Sequence, residues 1–73
     1  DISRLVQLAD GNDHAGMVQD VNLLLYGGGM SSATNTSLVR MLDRLRTAGR
    51  DSSERARSLL LLALVSPDYA IQR

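Results

Sequence analysis

Leu59-Leu60-Leu61-Leu62-Ala63-Leu64-Val65 is an unbroken apolar run, closed by Ser66-Pro67. A helix with no polar side is normally enclosed by protein, and a chain of 73 residues has little to enclose it with. Either the companion helices wrap this run or another polypeptide surface covers it. Just upstream, Asp51 and Glu54 stand at the spacing of a capping box, with Asp in place of the usual Ser or Thr. The helix therefore opens there and runs through Ala56, Leu59, Leu60, Ala63 and Leu64. Pro67 cannot continue it without losing a backbone hydrogen bond. Ser66 then caps a last short turn that carries Tyr69 and Ile71.

Outward from this run, caps and periodicity place three more helices. Gly49 stops a helix in which Leu38, Leu42 and Leu45 share a face, and Ser31 or Ser32 opens that helix by accepting from its free N–H groups. Gly27, Gly28 and Gly29 end another, whose stripe is Met17, Val18, Val21, Leu24 and Leu25 and whose N-cap is Asp13. Asp10-Gly11-Asn12-Asp13 separates it from a short opening helix with Ile2, Leu5, Val6 and Ala9 on one side. Strand-like alternation is missing throughout. The fold class is all-α: one small domain over 1–73, a bundle of three main helices with a short N-terminal helix and a short C-terminal turn.

Composition narrows the function classes. Tyr26 and Tyr69 are the only aromatic residues, so the core must be Leu, Val, Ile, Met and Ala. Without cysteine there is no disulfide and no thiolate metal site. Eight basic residues balance eight acidic ones, which removes any long-range pull on nucleic acid or anionic membrane. Every basic residue is Arg, a bias that base composition in the source genome explains. No apolar stretch approaches the ~20 residues of a membrane span, and no charged-then-apolar leader opens the chain, although one could precede Asp1.

Chemical motifs are sparse. Asp10, Asn12 and His14 fall at positions 1, 3 and 5 of a calcium loop, but Ala15 stands where the loop needs Gly and Val21 where it needs an acid. His14, the sole histidine, has Asp10 and Asp13 close in sequence and no identifiable nucleophile, so it reads as part of a helix start. The glycine triplet lacks the lysine and preceding strand of a phosphate loop. The expectation is no enzyme, no catalytic or metal-binding residues and no cofactor. Leu59, Leu61, Leu62 and Val65, with Tyr69 and Ile71 beside them, are the candidate interaction surface. The partner expected there is the remainder of a parent protein or another protein surface, with oligomers left open.

Two resemblances add to this reading. Asn22-Leu23-Leu24-Leu25-Tyr26-Gly27-Gly28-Gly29-Met30-Ser31, followed by an Arg-rich helix, then Arg55-Ala56-Arg57-Ser58 and the leucine run ending Ser66-Pro67-Asp68-Tyr69, resembles the C-terminal end of a bacterial family. That family is domain-of-unknown-function family eighteen-hundred, and the likeness covers about residues 17 to 73. It implies a C-terminal domain excised from a larger, mostly helical bacterial protein, often exported, with no established activity and no functional residues to carry over. The stretch from Gly29 to Arg50 is similar, instead, to the turn and recognition helix of winged helix-turn-helix repressors of the multiple-antibiotic-resistance type. On that alternative the recognition helix is 31–48. Ser32 and Asn35 would reach bases or phosphates, and Arg40 and Arg44 would reach the DNA backbone. The zero net charge, and a capped helix where two wing strands should follow Gly49, make nucleic acid the disfavoured partner.

Overall fold

The computed structural model describes residues 2–66, and all regular structure within them is helical: α1 (Ser3–Asp10), α2 (His14–Tyr26), α3 (Ser32–Thr47) and α4 (Ser52–Val65). The protein is all-α. The closing turn expected around Tyr69 and Ile71 lies outside the described residues.

Three of the four helices begin at a side-chain cap, while α1 starts after Ile2 without one. Asp13, Ser31 and Asp51 accept, through their side chains, the backbone N–H groups of Gly16, Thr34 and Glu54, each satisfying one of the donors a helix start leaves free. The helix ends are equally local. Past α3, Gly49 takes φ +85°, and its N–H and that of Arg50 reach back to the carbonyls of Arg46 and Leu45. This is the Schellman arrangement, which needs a left-handed residue and so favours glycine. Past α1 the same pattern is built without glycine at that position. Asn12 adopts φ +57°, and the N–H groups of Asn12 and Asp13 return to Ala9 and Leu8, a conformation asparagine tolerates better than most residues. Gly27 ends α2 at φ +58°.

Packing joins α1 to α4 and α2, and α3 to α2 and α4. The core between them holds Leu5, Ala9, Met17, Val18, Val21, Tyr26, Leu38, Leu42, Ala56, Leu59 and Ala63. Two parts of the sequence reading are corrected here. Leu24, placed on the α2 stripe, is 69% exposed, because the buried face of α2 turns toward Asn22 and Tyr26 in its last turns. Both residues are pinned there by hydrogen bonds: Asn22 Oδ1 accepts the Met30 N–H at 2.9 Å, and the Tyr26 hydroxyl donates to the Ala63 carbonyl at 2.6 Å.

Leu64, placed with Leu59, Leu60 and Ala63 along α4, is the second correction. Leu59 and Ala63 are fully buried and Leu60 is partly buried, but Leu61, Leu62, Leu64 and Val65 are exposed. At 3.6 residues per turn, consecutive positions step ~100° around the axis, and α4 rests its neighbours on one arc only. Three small companion helices, one of eight residues, do not close around the other side.

Candidate functional site

The residues expected to form an interaction surface divide in the structure. Leu61 and Val65 are 64% and 67% exposed, and Leu62 is exposed beside them. Leu59 is not on the surface: it sits one turn earlier on the inward arc of α4, among the best-buried side chains of the core, and is corrected from a contact residue to a packing residue. Tyr69 and Ile71 lie outside the described residues.

Leu62 and Val65, with Ser66, form one wall of an open groove of about 430 Å³ whose other wall is the first half of α3, including Ala33, Thr34, Leu38 and Met41. None of its lining residues is charged. Behind the groove, the end of α4 is anchored to α2. Tyr26 reaches across from α2 to the Ala63 carbonyl, which also accepts the N–H of the C-cap Ser66 at 3.4 Å in place of the i+4 bond that a helix end lacks.

The alternative nucleic-acid residues lie on the outside of α3. Ser32, Arg40 and Arg44 are exposed and Asn35 is half-buried. Arg40 and Arg44 flank a shallow depression with Met41 and Leu45. Arg44 and Arg46 occupy the last turn of α3, where a cation is stabilised by the helix macrodipole by ~0.3–1 kcal/mol. After Gly49 the chain enters α4, so the wing strands of that alternative are missing from the described residues.

A polar network that sequence reasoning missed lies at the other end of the bundle. His14, at the start of α2, is 5% exposed, and Arg55, in the first turns of α4, is 6% exposed. His14 Nδ1 is 2.6 Å from Asp43 Oδ1 on α3, and Arg55 Nη1 is 2.8 Å from His14 Nε2. A guanidinium can only donate. Nε2 must therefore be the accepting nitrogen, which puts the ring proton on Nδ1, donated to Asp43. Asn12 Oδ1 lies 3.5 Å from the same Arg55 nitrogen. Among the described residues no carboxylate pairs with Arg55 directly, and its Nε is buried without a hydrogen-bond partner. With both ring nitrogens engaged, the imidazole has none free to take a proton from a substrate, and the arrangement ties three helices together. A signal was present in the sequence: His14 stands three and four residues before Met17 and Val18, on the inward stripe of α2, and Arg55 stands four before Leu59 on that of α4. The helix-start reading of His14 gave its place along the chain and overlooked its direction.

No protein-family model matches this chain, and neither a curated protein nor a solved structure matches it. The described residues contain no group of three or more His, Cys, Asp or Glu arranged to hold a metal ion, and no helix among them is long and apolar enough to cross a membrane.

Proposed function

We propose that this is a non-enzymatic helical interaction module of a larger bacterial protein, a small bundle of three main helices and one short one that docks on another protein surface through the outer side of α4. One observation carries the reading: Leu61, Leu62, Leu64 and Val65 are exposed together on a single helix. Scattered apolar side chains are ordinary on a protein surface, whereas adjacent large ones mark contact sites. Completing the burial of Leu61 and Val65 alone would release on the order of 2–4 kcal/mol, taking full burial of such a side chain at ~1.5–3 kcal/mol and allowing for the third already covered. The groove beside Leu62 supplies a concave seat and contains no charge whose desolvation would oppose binding. The placement within a larger bacterial protein rests on the ordered pair of motifs around Gly27–Met30 and Ser66–Tyr69.

The test is the state of the domain in solution. An L61S/V65S double variant is expected to keep the helical content and stability of the parent while losing whatever self-association or apolar-dye binding the parent shows in sedimentation velocity and fluorescence. A parent chain that stays monomeric at high concentration and binds no dye would remove the proposal.

A further inference from the structure

His14 is held on its two sides by groups that make opposite demands on its protons. Asp43 on α3 accepts from Nδ1, while Arg55 on α4 donates to Nε2 at 2.8 Å. The second contact exists only while Nε2 keeps its lone pair, because the guanidinium stays charged and has no acceptor to offer. A second ring proton would set two N–H groups against each other across that gap and place two cations side by side, where Arg55 is almost fully buried.

We infer that uptake of this proton releases Arg55 from His14, making the network a protonation-dependent latch between the start of α2 and the start of α4. The Nδ1–H bond to Asp43 is present in both states, so the α2–α3 edge holds while the α2–α4 edge lets go. Among the described residues no carboxylate pairs with Arg55: Asp13 is engaged with the Gly16 N–H, and Asp10, at the end of α1, is bonded to the Ser52 hydroxyl. Arg44 lies beside Asp43 on the exposed side of α3. Asn12 is the remaining acceptor near the guanidinium, and Nε is already unsatisfied. A second unpaired hydrogen on a buried cation adds a further desolvation cost, which moving the side chain into water relieves. The sign follows from the bond itself: neutral imidazole is the form that accepts it, so the latch is closed while the ring is neutral and opens when Nε2 takes up a proton.

An NMR titration of the 73-residue chain, following the His14 ring, the Arg55 Nε–H and the backbone amides, tests this. The Arg55 Nε–H and the amides of residues 52–56 are expected to shift with the midpoint of His14. Hydrogen-exchange protection at Ala56 and Leu59, corrected for intrinsic rates, should fall about tenfold below that midpoint, as expected for losing one hydrogen bond to a charged group. Arg55→Met keeps much of the stem volume without the cation, and should abolish the acid-linked change in α4 while His14 still titrates. Arg55 signals that stay fixed while His14 titrates would overturn the latch, as would a ring that stays neutral in a folded domain down to the carboxylate range. The same acid response in R55M would also overturn it. Should R55M fail to fold, the titration of the parent chain decides alone.

Discussion

At the scale of single residues, the capping aspartate of α2 shows how two local effects meet. Gly16 stands third in the helix, and its N–H is the one that Asp13 accepts at 2.9 Å. A Cβ added at Gly16 would collide with the Asp13 carboxylate. Gly16→Ala should gain ~1 kcal/mol of helix propensity and forfeit a cap of about the same size, leaving stability nearly unchanged. In an Asp13→Ala background the same substitution has no cap to break, and should stabilise by the full ~1 kcal/mol. Urea unfolding of the four proteins in this cycle measures the difference, and additive effects would contradict it. Tyr26→Phe removes the donor to the Ala63 carbonyl and leaves that acceptor without its phenol. A loss of about 1–2 kcal/mol is expected in the same experiment.

Among the elements, α4 separates burial from hydrophobicity most sharply. Leu59→Ala empties a fully enclosed position and should cost ~2–5 kcal/mol, whereas Leu61→Ala, two residues along the same run, should move stability by no more than ~0.5 kcal/mol. Thermal unfolding of the pair checks it, and equal losses would show that the outer arc of α4 is covered after all. The contrast also marks what the sequence could disclose. The three longer helices were legible because their caps are local: Asp13, Ser31 and Asp51 each bond a backbone N–H within three residues, and Gly49 closes α3 from within its own turn; α1, which has no side-chain cap, was legible from its apolar spacing and the turn after it. The inward arc of α4 was legible in part: Ala56, Leu59, Leu60 and Ala63 face inward at helical spacing and Leu61, Leu62 and Val65 outward, but Leu64 and the surface role given to Leu59 were misplaced, because seven successive apolar residues carry no periodic contrast. The turn of the α2 stripe toward Asn22 and Tyr26 was hidden for a related reason, since both are fixed by partners outside α2, at Met30 and Ala63. The His14 network needed three helices to meet before any of its members became informative.

The molecule as a whole, about 35 × 22 × 16 Å, is thin enough that each helix keeps one side in solvent, and its specificity therefore rests on what those sides carry. The Arg residues of α3 face outward without a net positive charge behind them, so a gel-shift assay with duplex DNA at low salt should show no retention. Retention that weakens in an R40A/R44A variant would restore the nucleic-acid reading. The chain contains two tyrosines and no tryptophan, and Tyr26 is clamped between α2 and α4 by its hydroxyl. A Tyr69→Phe version would thus emit ultraviolet fluorescence from one ring alone, a built-in optical reporter of whether those two helices are docked, readable in a stopped-flow cuvette without any attached dye.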